Sequence, residues 1–235
     1  LLYAGAGSAT LNGAAGNDNL IGSAGVDVLD GGSGADSLSG GDGNDYYFVD
    51  NVGDVVVESN AGVAGGNDVV YSALAAYTLG ANVEIGRIVA SGAASLTGNG
   101  LANLLYAGSG DNVLSGGAGN DTLIGGSGAD TFRFDTAPNG TSNLETIGDF
   151  SVVDDTIVLE NAVFTSLLAS GPLAAGAFRA GAGATSAADT DDYLIYNTTT
   201  GALYYDAAGN TGDAPVQIAL LGSGLALTSA DFFVS

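Results

Sequence analysis

One residue spacing dominates this chain: an apolar residue recurs at every ninth position in two separate stretches. The first stretch places these residues at Leu2, Leu11, Leu20, Leu29, Leu38 and Tyr47. The second stretch places them at Leu96, Leu105, Leu114, Leu123 and Phe132. A fixed period of this kind predicts a stack of identical structural units, each too small to bury its apolar side chain without its neighbours.

A second series, mostly aspartate and asparagine, precedes the apolar series by two residues. Its members are Ala9, Asp18, Asp27, Asp36 and Asp45 in the first stretch, and Asn103, Asn112, Asp121 and Asp130 in the second. Glycines come before them, as in residues 31–39, Gly-Gly-Ser-Gly-Ala-Asp-Ser-Leu-Ser. Because glycine permits positive φ and alternate residues of a strand face opposite sides, the unit is predicted to be a turn followed by a three-residue strand.

Two units should complete one coil of a flattened helix, so that each turn stacks on the turn two units later. The expected stacking pairs are Asp18 with Asp36, Asp27 with Asp45, Asn103 with Asp121, and Asn112 with Asp130. Carboxylate and carbonyl oxygens that face each other across this spacing are the ligands that calcium prefers. We therefore predict calcium ions between the turns, with weaker binding in the second stretch because asparagine lacks the charge. Ala9 supplies no ligand.

The charge balance favours cations and excludes several other functions. The chain holds 26 acidic residues against Arg87, Arg133 and Arg179, with a formal net charge of -23. Nucleic acid and anionic membranes are therefore not expected partners. The absence of His, Cys and Lys excludes a Ser-His-Asp triad, a thiol nucleophile and a Schiff base. We predict that the chain is not an enzyme, although paired carboxylates leave glycoside hydrolysis open in principle.

The Gly-Gly-x-Gly-x-Asp units resemble the RTX family, the hemolysin-type calcium-binding repeats found at the C-terminal end of type I secreted bacterial proteins. The resemblance implies an all-β fold: a right-handed parallel β-roll or β-helix of nonapeptide repeats, with a C-terminal β-rich capping module. It also implies export of the unfolded chain through a type I secretion exporter and an extracellular location, secreted or at the cell surface. Without calcium the carboxylates repel each other, so binding free energy becomes folding free energy.

Four regions are expected along the chain. They are a first repeat block at 1–48, a spacer of further coils at 49–97, a second repeat block at 98–134, and a cap with the secretion signal at 135–235. Strands are predicted at 46–49, 54–58 and 68–71. Asp54 and Asp68 are interpreted as solvated turn residues rather than as calcium ligands.

The last hundred residues should close the exposed apolar end of the roll. Asp149, Asp154 and Asp155 resemble the aspartate-bearing strand that closes β-rolls in secreted metalloproteases, and they are further calcium candidates. Residues 193–196 and 202–206 are predicted to form a β-hairpin. Residues 231–235, Asp-Phe-Phe-Val-Ser, resemble the tail of type I secretion substrates and would also suit a final edge strand. We expect about four to eight calcium ions in total.

Two other functions remain open on these residues. One is a structural segment of a surface-layer protein or adhesin that self-associates with calcium. The other is the C-terminal tail of a secreted hydrolase whose catalytic module lies upstream. Because Leu1 begins inside the repeat, we expect the chain to be part of a longer protein. The uncharged residues 214–230 contain Gln, Ser, Thr and Gly, so membrane insertion is not expected.

Overall fold

The computed structural model describes residues 1–59, 65–212 and 214–235. The chain is almost entirely β-structure, and its strands wind into a parallel β-solenoid, which confirms the predicted roll. Six strands belong to the first repeat block: β1 (Leu2–Tyr3), β2 (Thr10–Asn12), β3 (Asn19–Ile21), β4 (Val28–Asp30), β5 (Ser37–Ser39) and β6 (Tyr46–Val49). Five follow in the spacer: β7 (Val55–Val57), β8 (Val69–Ser72), β9 (Ala76–Thr78), β10 (Ile85–Ile88) and β11 (Ser95–Thr97).

The second block and the cap complete the described strands. The second block contributes β12 (Leu104–Ser109), β13 (Val113–Ser115), β14 (Thr122–Ser127) and β15 (Thr131–Phe134). The cap contributes β16 (Glu145–Ile147), β17 (Thr156–Leu159), β18 (Gly171–Pro172), β19 (Phe178–Gly181), β20 (Leu194–Asn197), β21 (Ala202–Tyr205), β22 (Val216–Leu220) and β23 (Phe232–Val234). Short 3₁₀ helices occupy Ala175–Ala177, Gly209–Thr211 and Ser229–Asp231.

Consecutive strands of the roll lie on opposite faces. The even-numbered strands from β2 to β16 form one continuous face, and the odd-numbered strands form a four-stranded sheet from β1 to β7 and a separate row from β9 to β17. Within the repeat blocks, paired residues of neighbouring parallel strands are 18 residues apart, which is the length of one coil. The backbone N–H of Asp18, for example, donates to the side chain of Asp36. The two-units-per-coil geometry expected from the nine-residue period is therefore present.

The central residue of each short strand points into the roll. Leu20, Leu29 and Leu38 are completely buried, whereas the residues on either side of them are more exposed. The turns are as tight as the glycines suggest, because a Cβ on Gly34, whose φ is +139°, would lie 2.0 Å from the carbonyl oxygen of Gly16 in the preceding coil. Each coil thus adds one inward apolar side chain per face, and glycine is required where a turn lies directly against the carbonyl of the preceding coil.

The spacer continues the solenoid with coils of unequal length. Asp45 and its hydrogen-bond partner Asp68 are 23 residues apart, and Asp68 and its partner Glu84 are 16 apart. On the outer face, Phe48 stacks on Tyr71 with ring centroids 5.1 Å apart, and the Arg87 guanidinium lies 4.0 Å from the centre of the Tyr106 ring. These contacts join successive strands of the even-numbered face, so the spacer coils are held by side chains outside as well as inside the roll.

The cap extends both faces of the roll. β22 pairs in parallel with β16, and β23 pairs in parallel with β17. The predicted hairpin is confirmed, because β20 and β21 are antiparallel. Aromatic pairs such as Phe164 with Tyr205 and Phe178 with Phe232 fill the interior of the cap. The cap therefore covers the apolar end that the last coil would otherwise expose.

The C-terminal strand β23 lies inside a sheet rather than at its edge. It is flanked by β17 on one side and by β18 on the other. Phe232 and Val234 are buried, and the backbone N–H of Asn161 donates to the carbonyl of Ser235. The alternative of a final edge strand is therefore wrong. Among the described residues, no helix is long and apolar enough to cross a membrane.

Candidate metal centre

The aspartates at the ends of the turns stack along the two edges of the roll. In the first block the backbone N–H of Asp18 donates to Asp36 Oδ1 at 2.7 Å, and that of Asp27 donates to Asp45 Oδ1 at 2.7 Å. In the second block the N–H of Asn103 donates to Asp121 Oδ1 at 2.7 Å, and that of Asn112 donates to Asp130 Oδ1 at 2.9 Å. All four expected stacking pairs are in direct contact.

We call the resulting rows the even-edge and odd-edge columns, after the strands that their residues precede. The even-edge column contains Ala9, Asp27, Asp45, Asp68, Glu84, Asn103, Asp121 and Glu145. The odd-edge column contains Asp18, Asp36, Asp54, Ala75, Ala94, Asn112, Asp130 and Asp155. Apart from Ala94, the residues of both columns lie outside the hydrophobic core.

Several carboxylate oxygens in these columns have no hydrogen-bond partner. Asp36 Oδ2, Asp45 Oδ2 and Asp121 Oδ2 are buried and accept no hydrogen bond from the described residues. The three side chains are 2 %, 0 % and 1 % exposed. A buried polar atom without a partner costs about 1–3 kcal/mol, and more when it is charged. An adjacent cation would remove this cost.

The surroundings of these oxygens are built from backbone. A Cβ on Gly31 would lie 2.2 Å from Asp36 Oδ2, and a Cβ on Gly116 would lie 2.2 Å from Asp121 Oδ2. A Cβ on Gly22 would meet both the carbonyl oxygen of Gly40, at 2.1 Å, and Asp27 Oδ2, at 2.6 Å. Carbonyl oxygen from one coil and carboxylate oxygen from its neighbour therefore converge where only glycine fits, which is the ligand chemistry of a hard divalent cation.

Comparison with known families agrees with this geometry. The family described as RTX calcium-binding nonapeptide repeat (4 copies) matches residues 3–38, 21–56 and 97–132. Both blocks are RTX repeats. A search of curated proteins found no match to this chain. The matches end within β7, at Val56, and omit most of the spacer and the whole cap.

RTX repeats bind calcium ions, and the oxygens of this chain fit that ion. Burial raises the pKa of Asp45 to about 6 and the pKa of Asp121 to about 6, and it also raises the pKa of Asp130. Because the ligands must be ionised, calcium competes with protons for these carboxylates. Which of the predicted aspartates and asparagines ligate the ion stays a prediction.

The asparagines of the second RTX block make hydrogen bonds that an aspartate could not. Asn103 Nδ2 donates to the carbonyl of Val83 at 2.9 Å, and Asn112 Nδ2 donates to the carbonyl of Gly110 at 2.7 Å. Both amide oxygens still accept backbone hydrogen bonds, from Asn99 and Ala94 respectively. The amides thus satisfy backbone carbonyls without an ion.

The three aspartates predicted in the cap occupy different positions. Asp155 extends the odd-edge column, because its Oδ1 accepts from the backbone N–H of Asp130 at 2.9 Å. Asp149 receives the N–H groups of Gly125 and Gly126, one on each carboxylate oxygen. Asp154 is exposed and lies outside both columns. Asp155 is therefore the cap aspartate placed most like an RTX turn residue.

The structure also places residues in the columns that the sequence analysis did not assign. Asp54 Oδ1 accepts from the N–H of Asp36, Asp68 Oδ1 accepts from that of Asp45, and Glu84 Oε2 accepts from that of Asp68. The interpretation of Asp68 as a solvated turn residue is wrong, because its side chain is completely buried. Stacking of the longer spacer coil over the first block removes it from water.

Asp54 could have been found by the period alone, because it lies nine residues after Asp45 and two before Val56. Glu145 could not, because it lies 24 residues after Asp121 and thus out of phase. Its strand is in register with β14, which places the two carboxyls side by side. Burial, and then the charge of Asp121, raise the pKa of Glu145 to about 9, so this carboxyl holds a proton when no cation is near.

Proposed function

We propose that this chain is a calcium-dependent β-roll that folds after export and serves as the C-terminal secretion and folding module of a larger secreted protein. The observation that carries the proposal is the stacking of buried, unpartnered carboxylate oxygens in Gly-rich turns. Such a stack is compatible with a compact fold only when its charge is neutralised. Calcium is scarce in cytosol and abundant outside cells. The chain would therefore stay unfolded during export and would fold when it meets calcium outside.

The arginines do not supply this neutralisation. Arg87 lies over the ring of Tyr106, Arg133 pairs with Glu160 and Asp135, and Arg179 donates to the carbonyl of Ser186. The chain has no lysine or histidine. Protons or metal ions are therefore the available counter-charges, and each calcium ion removes two charges while it ties two coils together.

The position of the C-terminal tail supports export before folding. Phe232 and Val234 are buried in β23, between β17 and β18. An exporter that reads this tail would reach it only while the cap is unfolded. Low calcium keeps the chain in that state, and the tail then becomes the last strand of the cap outside the cell.

Far-UV circular dichroism during a calcium titration tests the folding step. Starting from chelator, β-signal is expected to rise cooperatively with calcium and not with magnesium, and Asp36→Ala is expected to move the midpoint to higher calcium. A chain that is already folded in chelator would contradict the proposal. Export is tested by co-expression with a type I exporter, where removal of residues 231–235 is expected to abolish secretion.

A second candidate is a structural segment that self-associates, and one surface favours it. Val52, Val55 and Val57 are 90 %, 55 % and 41 % exposed around β7, the last strand of the four-stranded sheet. Sedimentation velocity with calcium tests this candidate, with Val55→Thr as the variant and Val153→Thr, at an exposed position in the cap, as the control. A monomer at every calcium concentration would exclude it.

A further inference from the structure

Three buried carboxylates meet where the first repeat block joins the spacer. Asp45 precedes β6, Glu58 follows β7 and Asp68 precedes β8. One carboxylate oxygen from each lies within 4.8 Å of the other two. The side chains are 0 %, 7 % and 0 % exposed. Three acidic groups are therefore confined to one small volume that water does not reach.

Each carboxylate is oriented by one of its oxygens and leaves the other without a partner. Asp45 Oδ1 accepts from the backbone N–H of Asp27, Asp68 Oδ1 accepts from that of Asp45, and Glu58 Oε1 accepts from the Tyr47 hydroxyl. The remaining atoms, Asp45 Oδ2, Glu58 Oε2 and Asp68 Oδ2, have no hydrogen-bond partner among the described residues. The arrangement offers three oriented ligand oxygens and no internal counter-charge.

This cluster differs from a turn-to-turn RTX site. Glu58 follows its strand instead of preceding one, and it stands where the nine-residue unit has its first glycine, as at Gly40. The coil from Asp45 to Asp68 is 23 residues long rather than 18. Tyr47 also replaces the leucine that fills the same inward position in the preceding units, and its hydroxyl reaches Glu58. Glu58 and Tyr47 together are specific to this junction.

We propose that Asp45, Glu58 and Asp68 form a buried calcium site that joins the first repeat block to the spacer. Three carboxylates supply hard oxygen ligands. Calcium usually binds about six to eight oxygens, so backbone carbonyls or water supply about half of them. Tyr47 is a positioning residue, because it holds Glu58 toward the site. The ion links β6, β7 and β8, and thereby couples the folding of the first block to that of the longer coil.

The test counts the calcium ions that remain bound to the 235-residue chain after equilibrium dialysis at mildly alkaline pH, where protons compete least with calcium for the carboxylates. Glu58→Gln preserves the shape of the side chain and removes its charge, and it is expected to bind one ion fewer than the wild-type chain. Asp50→Asn, at an exposed position in the same region, is the charge-matched control and should bind the full number. An unchanged count in Glu58→Gln would overturn the proposal and leave protons as the counter-charge of the cluster.

Tyr47→Phe provides a second, independent readout because it keeps all three carboxylates. Loss of an outer partner of a metal ligand typically weakens metal binding about tenfold or more. We expect about a tenfold weaker affinity for one ion, with the others unchanged. Tyrosine-sensitised terbium emission should also be weaker in this variant, since Tyr47 is the tyrosine in contact with the site and the chain has no tryptophan. Emission and affinity equal to the wild type would contradict the assignment of Tyr47 and the site beside it.

Neither readout depends on calcium-triggered folding. A chain that is folded in chelator would refute the proposed switch, but its ion count would still be measurable. Conversely, a cooperative folding transition in which Glu58→Gln keeps the full ion count would support the switch and refute this site.

Discussion

The two repeat blocks share one coil geometry but hold successive turns together differently. In the first block a charged side chain lies over another, as Asp27 lies over Asp45. In the second block the upper member is an amide, as in Asn103 over Asp121. The amide nitrogen of Asn103 donates to the carbonyl of Val83, whereas the equivalent aspartate, Asp27, accepts from the N–H of Ala9.

The same coil geometry can therefore be stabilised in two ways, by a bound ion or by a side-chain hydrogen bond. A carboxylate pair binds calcium more strongly but repels itself when the ion is absent. An amide over a carboxylate gives up charge and retains part of its stabilisation without metal. Calcium dependence is therefore expected to vary along the roll, from strong in the first block to weaker in the second.

Lowering calcium from saturation toward the folding midpoint should produce the largest effect and should separate the blocks. Near that midpoint we expect amides of β3–β6 to exchange at least about tenfold faster than those of β12–β15, which corresponds to about 1.4 kcal/mol. The physical reason is that Asn103 and Asn112 keep their hydrogen bonds to Val83 and Gly110. Hydrogen exchange with mass spectrometry measures this, and equal loss of protection in both blocks would remove the distinction.

Acidification in chelator should partly replace calcium. Burial raises the pKa of Glu58 from 4.5 to about 8 and that of Asp68 from 3.8 to about 7. These groups bind protons in the folded state and not in the unfolded state, so this stability is present at low pH and declines as pH rises from about 4 to about 8. The far-UV β-signal in chelator should therefore be largest at low pH and should fall over that range.

With saturating calcium the same pH range should have a smaller effect, because the ion replaces the protons. Without calcium, Glu145, which lies beside Asp121 of the second block, should retain its proton to about pH 9. In chelator, the amide protection of β14 and β16 is thus expected to decline at higher pH than the amide protection of β6 and β8. A β-signal that rises with pH in chelator would contradict this account of the buried carboxyls.

Much of the fold follows from two spacings in the sequence. The nine-residue series of inward leucines predicts the strands, and the aspartates two residues earlier predict the stacking pairs. Both depend on local geometry, since each unit repeats the same turn and the same three-residue strand. The hairpin of β20 and β21 is also local, because Thr-Thr-Gly lies between two apolar runs.

Apart from Asp54, the missed features depend on non-local stacking. Glu84 and Glu145 join the carboxylates because their coils are shorter or longer than the repeat. Glu58 keeps the 18-residue phase but stands at a glycine position, so the period does not indicate an acidic residue there. The burial of Asp68 likewise follows from the coils above and below it. In the cap, the pairing of Thr146 with Leu220 joins segments far apart in sequence, where a short motif carries no information about the partner.

Asp27→Asn should convert one first-block pair to the second-block type and destabilise it. Asp27 accepts hydrogen bonds from two backbone N–H groups, those of Ala9 and Ser23. An amide can accept only one of them and would turn its NH₂ group toward the other donor. We expect a loss of about 2 kcal/mol in urea unfolding with calcium present, together with weaker calcium binding. Asp50→Asn is the control, and an equal loss in both variants would show that net charge alone is responsible.

The reciprocal variant, Asn103→Asp, should have the smallest effect and opposite signs in the two conditions. It removes the hydrogen bond to Val83 and adds a charge close to Asp121, so the chain should lose about 1 kcal/mol at the lowest calcium concentration that keeps it folded. With saturating calcium, the added carboxylate supplies a charged ligand, and the affinity of the second block should increase. Urea unfolding at low calcium and calcium titration of the same variant measure the two effects. If the variant lost stability in both conditions and bound calcium no more tightly, the amide would have to be part of the calcium site itself. The two blocks would then differ in ligand type rather than in their need for the ion.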